Sequence, residues 1–280
     1  MNAANEFLEL PCEYRTHNVH SKWRLRDESW DAVADAAAEK IFRPEKIPAN
    51  DLLKQARRRL VFRLQADHPQ AAQVLVKAFP LDSLKHRLEH KKYAFSEAAN
   101  LLHAARLNLP VPKVFAFGDA RKFGLVRWTA ACEEFINGKP MSYQFAASRD
   151  PQLHRRLLER TLPLFKKIYE AACNHIDFGP HAILIPEKSG EPDRIIDFQY
   201  CRFLPQPGKA TLAAQAGYFG WCVITNRTWV EKKIVEDWFE TLLDFLNFDK
   251  RDALRKIFRD RLPARASIKD RLAARWEIPK

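Results

Sequence analysis

Glycine is scarce in this chain. There are eight among 280 residues, and the first is Gly118. A dinucleotide-binding fingerprint and a P-loop both need glycines at a strand–helix turn, where the backbone must approach phosphates closely. Gly124, Gly138 and Gly179 stand singly, which argues against both architectures. The cysteines form no framework either. Cys12, Cys132, Cys173, Cys201 and Cys222 are odd in number and scattered, with no C-x-x-C pair. That disfavours a disulfide scaffold and a zinc knuckle, and it fits a reducing compartment. No apolar run reaches the length of a membrane span. Met1 to Glu9 lacks the basic flank and apolar stretch of a secretory signal. Repeats, low-complexity tracts and long linkers are also missing.

Positive charge is abundant. Lys plus Arg number 47 against 35 Asp plus Glu, a net charge of +12. Such a balance favours a polyanionic partner: nucleic acid, an anionic membrane surface, or a phosphorylated or carboxylated substrate. With 46% hydrophobic residues, the chain can bury the core of one or two domains.

The periodicities predict strands first and helices later. Trp30, Val33, Ala37 and Ile41 mark an early helix, and two prolines follow it between Arg43 and Ala49. Leu60, Phe62 and Leu64 alternate with polar partners, and the stretch from Gln73 to Phe79 reads as the second strand of a hairpin. A long helix is expected from Ser83 to Leu107, with Leu84, Leu88, Phe95, Ala98, Leu102 and Ala105 as its apolar stripe. Strands are expected at 114–117, 123–128 and 130–138, then one amphipathic helix over 152–173. Short strands at 182–185 and 194–196 flank a polar turn. Helices at 209–224, 229–247, 249–260 and 267–276 complete the chain. The order predicts an α+β fold: a small antiparallel-sheet lobe with one long helix, a mainly helical lobe, and a cleft between them. The boundaries are 1–134 and 135–280, with 1–50 an N-terminal extension and 51–134 the sheet lobe proper.

Four ionisable side chains stand out against this background. Lys77 sits inside an apolar strand between Val76 and Ala78. A buried ammonium needs an anionic partner, and Glu97 on the next helix is the candidate; an edge-strand lysine facing water is the alternative. Asp177 lies in His175-Ile-Asp-Phe-Gly-Pro-His181 and Asp197 in Ile195-Ile-Asp-Phe-Gln199. A carboxylate at a strand end suits Mg²⁺, which takes oxygen ligands plus substrate phosphates. One on a loop can accept a proton from a hydroxyl. Each could instead cap a turn.

The order Lys, Glu, His-x-Asp, strand, strand-Asp resembles the protein-kinase-like superfamily. More narrowly, the chain resembles the bacterial lipopolysaccharide core kinases, which phosphorylate heptose or 3-deoxy-D-manno-octulosonic acid (Kdo). The similar text is Val74-Leu-Val-Lys-Ala-Phe, Glu97-Ala-Ala-Asn-Leu-Leu through Leu109-Pro-Val-Pro, Glu133-Glu-Phe-Ile-Asn-Gly138 and the two Asp motifs. It spans roughly 55–245. The resemblance implies a bilobal kinase fold and transfer of the γ-phosphate of ATP to a sugar hydroxyl of the inner core. It assigns Lys77, oriented by Glu97, to the phosphates, Asp177 to the acceptor hydroxyl and Asp197 to Mg²⁺. Backbone groups around Glu133, Glu134 and Ile136 would take the adenine edge, and His175 would brace the catalytic loop. It further implies the inner-core glycolipid and an anionic membrane surface as partners, at the cytoplasmic face of the inner membrane.

Two departures from the family pattern stand out. The nucleotide-covering stretch Lys54-Gln-Ala-Arg-Arg-Arg59 has no glycine, so Arg58 would have to meet phosphate directly. Ala182 stands where a typical kinase loop has a metal-binding asparagine. His181 would serve instead if the loop shifts by one residue, which Gly179 permits. Packing alone is the other use of His181. The alternative functions are a small-molecule phosphotransferase of the choline or aminoglycoside type and a catalytically inactive kinase-like scaffold. His86-Arg-Leu-Glu-His90 matches an inverted zinc-protease pattern with no second signature, and no nucleic-acid module accompanies the arginine-rich segments, so neither zinc chemistry nor nucleic acid is expected.

Overall fold

The computed structural model describes residues 13–17, 21–123, 125–225 and 229–262. The chain divides into two compact units. The first comprises Met1–Ala105 and Pro112–Ile136, the second Arg106–Val111 and Asn137–Lys280.

The first unit is built on a seven-stranded antiparallel sheet. Its strands are β1 (Glu13–His17), β2 (Ser21–Leu25), β3 (Leu52–Ala56), β4 (Arg59–His68), β5 (Ala71–Pro80), β6 (Val114–Lys122) and β7 (Leu125–Glu134). They lie in the order β1-β2-β6-β7-β5-β4-β3. Alternation decides which face each side chain takes. Phe62, Val74, Val76 and Cys132 enter a core closed by helix α1 (Asp31–Phe42) through Val33, Ala34, Ala37 and Ile41. Trp30, just before α1, stacks between His68 and Phe115 with ring centroids 3.7 and 4.0 Å away. The one helix expected in the first fifty residues is present, but two strands, β1 and β2, precede it.

The expected helix over 83–107 is broken. Helix α2 covers only Leu84–Leu88, a 3-10 turn follows, and Tyr93 has a non-helical backbone (φ −107°, ψ −114°) before α3 (Ala94–Arg106). The buried stripe of α3 is Ala94, Glu97, Ala98, Leu101 and Ala104, one residue away from the expected Phe95, Leu102 and Ala105. Glu97 turns inward, and the helix is rotated accordingly. Leu84 and Leu88 are exposed rather than core.

The second unit carries β8 (Gly138–Pro140), α4 (Met141–Ala147), α5 (Pro151–Glu159), α6 (Leu162–Glu170), β9 (Cys173–His175), β10 (Ile183–Pro186), β11 (Arg194–Ile195), β12 (Cys201–Phe203), α7 (Lys209–Thr225), α8 (Lys232–Phe245) and α9 (Arg251–Arg261). Two small sheets form, β11-β10-β8 and β12-β9. The single helix expected over 152–173 is two helices. Pro163 lacks an N–H and opens the first turn of α6, which stops α5 from continuing. Phe165, Phe178, Phe219 and Trp238 pack edge-to-face or tilted, 5.0 to 5.9 Å apart, and tie α6, α7 and α8 to the segment after β9. Gly217 lets α9 approach α7, since a Cβ there would meet Arg261 Cβ at 2.6 Å. The helix expected over 267–276 lies outside the described residues.

Candidate active site

In the first unit the chemistry centres on Lys77. Val76 and Ala78 enter the core, so Lys77 faces the other side of the sheet. Its ammonium lies 2.6 Å from Glu97 Oε1 and 2.9 Å from Glu133 Oε2. Lys77 is 6% exposed and both glutamates are 0% exposed. The pairing of Leu75 with Glu133 and of Lys77 with Ala131 puts Lys77 and Glu133 diagonally on one sheet face. Sequence reasoning used Glu133 only for its backbone. Its carboxylate is a second partner of the lysine, a role signalled by a charged residue at the end of the apolar run Ala130-Ala-Cys132. Glu97 Oε2 is buried and has no hydrogen-bond partner.

The other residues expected at the nucleotide lie apart from this cluster. Glu134 is half-buried and accepts from the Lys113 N–H at 3.2 Å. Ile136 is half-buried at the end of the first unit. Arg58 is exposed in the two-residue turn between β3 and β4. Beside it, Arg57 reaches Asp82 at 3.6 Å, and the Arg59 guanidinium lies over the Phe79 ring.

In the second unit Asp177 and Asp197 follow paired strands. The register of β9 with β12 matches His175 to Cys201, and that of β10 with β11 matches Ile183 to Ile195. The latter ladder continues through the Ile196 N–H, which donates to the Ala182 carbonyl at 2.9 Å. Asp197 follows Ile196 after β11, and His181 precedes Ala182 in the 3-10 turn before β10. His175 ties the loops together. Its Nε2–H donates to the Ile196 carbonyl at 2.9 Å, and its ring packs edge-on against Phe198 at 4.9 Å. Burial pushes the His175 pKa down, against the opposing pull of that hydrogen bond and of the Asp177 and Asp197 charges, so the ring is held neutral.

Asp197 adopts a left-handed backbone (φ 63°, ψ 51°). For a residue other than glycine this conformation is strained, and such strain gathers at functional positions. Gly179 has an ordinary extended backbone at φ −120°. A Cβ there would lie 2.6 Å from the His181 ring, so glycine supplies space for that ring rather than backbone freedom.

Asp177 opens on a cavity of about 580 Å³, walled by Ser142, Tyr143, Ala146, His181, Tyr218, Trp221 and Cys222. The Tyr218 hydroxyl donates to Asp177 Oδ1 at 2.8 Å. Tyr218 and Trp221, three residues apart on α7, stack with centroids 5.9 Å apart and an interplanar angle of 19°. These aromatics escaped the sequence analysis, because on an apolar helix such as α7 they read as core. Arg160 was missed as well. It forks onto Asp193 with two bonds of 2.6 Å and fixes the start of β11 to the junction of α5 and α6.

The donor chemistry fits a hard cation in part. Mg²⁺ is commonly held by one or two carboxylates plus substrate phosphates, and Asp197 can supply one carboxylate. Among the described residues no group of three His, Cys, Asp or Glu side chains could hold a metal by themselves. His181 would offer an imidazole nitrogen, which a hard cation takes poorly. The zinc pattern at 86–90 is dismantled by the fold: α2 ends at Leu88, and His90 Nδ1 contacts the Arg87 carbonyl at 2.8 Å.

No family model and no curated protein matches the chain. Solved structures do. One described as "WaaP in complex with acyl carrier protein" is similar to this chain with a TM-score of 0.55 and 14% identity, covering 86% of this chain and 97% of that one. The fold is α+β, bilobal and kinase-like. Since 1548 solved chains match, the fold does not by itself select an acceptor.

Proposed function

We propose that the protein is an ATP-dependent kinase that transfers the γ-phosphate to a sugar hydroxyl, of heptose or Kdo, in the lipopolysaccharide inner core. The observation that carries the reading is Asp177: a carboxylate oriented by the Tyr218 hydroxyl, opening on a cavity with a stacked aromatic pair in its wall. Aromatic faces suit the C–H edges of a sugar ring, and the carboxylate suits its hydroxyl. The likeness of the fold to WaaP, together with the resemblance of the motifs to the lipopolysaccharide core kinases, supports the choice among kinase-fold acceptors.

In this reading Lys77, held by Glu97, binds the α- and β-phosphates. Backbone groups near Glu133, Glu134 and Ile136 take the adenine edge, and Arg58 meets phosphate from the β3–β4 turn. Asp197 would hold Mg²⁺, which when bound neutralises phosphate charge. Asp177 orients the acceptor hydroxyl and takes its proton. The bond from the γ-phosphorus to the bridging oxygen breaks, the bond to the sugar oxygen forms, and ADP leaves. The contribution of the chain is positioning and charge neutralisation.

A second reading has a specific observation behind it. Among the described residues none that lines the cavity is a lysine or arginine, and aromatic faces beside a carboxylate also suit a quaternary ammonium. That would make the protein a choline-type phosphotransferase. The deciding experiment offers ATP and Mg²⁺ with dephosphorylated inner-core glycolipid, free heptose, Kdo or choline in separate reactions, and locates new phosphate by mass spectrometry. Phosphate on the glycolipid sugar is expected. Phosphate on choline alone would replace the first reading with the second, and nucleotide binding without any transfer would indicate an inactive scaffold.

A further inference from the structure

A second cavity, of about 600 Å³, lies wholly in the first unit, and its lining contains none of the residues assigned to phosphotransfer. Its lining includes the apolar Phe42, Leu81 and Trp128 and the basic Arg87, Lys122 and Arg127. The Arg127 Nε is buried and has no hydrogen-bond partner. Arg87 is fixed by donation from Nε to the Leu81 carbonyl at 3.2 Å. Among the described lining residues Asp82 is the one acidic side chain, and it lies 3.6 Å from Arg57.

Large apolar side chains in the lining, and close along the chain to it, are exposed. Phe123, at the β6–β7 turn, is 86% exposed and has a left-handed backbone at φ 53°. Leu84 and Leu88, on either side of Arg87 in α2, are 71% and 76% exposed. Large exposed side chains grouped around a basic groove mark an interaction surface rather than ordinary surface scatter. Apolar tips flanked by lysine and arginine match the interfacial layer of a membrane, where acyl chains take the apolar groups and phosphates take the cations. A protein at +12 also has the charge to be drawn to such a surface.

We infer that this groove and its rim are an anionic-lipid docking site, with Phe123 inserting at the headgroup boundary and Lys122, Arg87 and Arg127 meeting lipid phosphates. The site lies outside the phosphotransfer residues, and its test needs no nucleotide. The full-length protein is sedimented with phosphatidylglycerol-containing vesicles, with neutral phosphatidylcholine vesicles, and with neutral vesicles plus inorganic phosphate. Binding is expected in the first case only. Phe123→Asn tolerates the left-handed backbone and removes the inserting ring, so it should fold normally and weaken partitioning about tenfold. Lys122→Glu should weaken it at least about fivefold, the worth of one basic group near an anionic surface. Equal sedimentation with neutral vesicles, or unchanged partitioning of both variants, would overturn the inference. So would a groove that binds an acidic soluble protein and no vesicles. Phosphorylation of a soluble acceptor should be unaffected by Phe123→Asn, so failure of the docking site and failure of the kinase reading give different results.

Discussion

At the scale of single residues, the buried ions give the sharpest expectations. Lys77 is shared by two carboxylates that are each 0% exposed. Lys77→Met removes the ammonium and leaves both carboxylates buried, which should cost about 3–5 kcal/mol in denaturant unfolding and abolish nucleotide binding. Glu133→Gln removes one of the two carboxylates that contact the lysine. If Lys77 holds phosphate, this variant should bind nucleotide more tightly than wild type in a calorimetric titration; weaker binding would show that Glu133 is needed to orient the lysine. His175 sets a pH dependence. Its folded pKa lies below the ordinary histidine value because burial disfavours the charged ring. Between the depressed value and the unfolded value of roughly 6.5 the unfolded state binds the extra proton. The contribution is therefore complete above about pH 6.5 and is lost as the pH falls toward the folded pKa. Denaturant melts from about pH 8 to about pH 5 should show stability falling on the acid side, and His175→Gln should flatten that slope.

At the scale of elements, the active-site loops depend on two contacts that local sequence hardly signals. Gly179→Ala would drive a methyl into the His181 ring, which lies 2.6 Å from where an ideal Cβ would sit. The expected cost is about 1–3 kcal/mol of overpacking, with transfer falling more than nucleotide affinity. The Arg160–Asp193 fork is half-exposed on the arginine side, where the side chain is 45% accessible against 6% for the aspartate. Water screens it, so Arg160→Lys should cost only about 1 kcal/mol. Legibility in the sequence followed the range of the interactions. The β4–β5 hairpin, α1 and the short strands expected at 182–185 and 194–196 could be read because alternation and helical spacing are local patterns. The partnership of Lys77 with Glu97 was read from chemistry, since a buried ammonium needs a counter-charge. The breaks at Tyr93 and Pro163 and the rotation of α3 were not readable in detail, because an apolar stripe is blind to a one-residue rotation that turns a glutamate inward. Glu133, Tyr218 and Arg160 were missed as partners because their contacts cross 56, 41 and 33 residues of chain respectively.

At the scale of the whole molecule, the surplus of cations is unevenly available. Arg255 is forked onto Glu240 at 2.9 and 2.8 Å and also bonds Asp252 at 2.8 Å. Arg251 is held by Asp244 and by the Phe248 carbonyl. These arginines fasten α9 to α8 and its following turn, and their fields are largely cancelled by their partners. Arg58, exposed in its turn, is a better candidate for long-range attraction. On the proposed reading the acceptor is the inner-core glycolipid, which carries carboxylates and phosphates, and exposed charges separated by more than about 8–10 Å are screened near physiological salt. Apparent affinity for the glycolipid should therefore fall steeply as ionic strength rises. Affinity for Mg·ATP should fall less, because Lys77 is only 6% exposed and acts at short range. Arg58→Glu should reproduce part of the salt effect at constant ionic strength and should also weaken nucleotide binding, since the proposed reading sets Arg58 against the nucleotide phosphates. Arg255→Glu should instead lower the unfolding midpoint while leaving glycolipid affinity nearly unchanged, since the charge it removes is already neutralised by Glu240 and Asp252. Binding isotherms for the two substrates from low to high salt, run on wild type and both variants, separate these outcomes. If glycolipid and nucleotide lose affinity in parallel, or if Arg255→Glu is the variant that weakens glycolipid binding, long-range attraction of a polyanionic acceptor is not what the surplus charge is for, and the small-molecule phosphotransferase gains the weight.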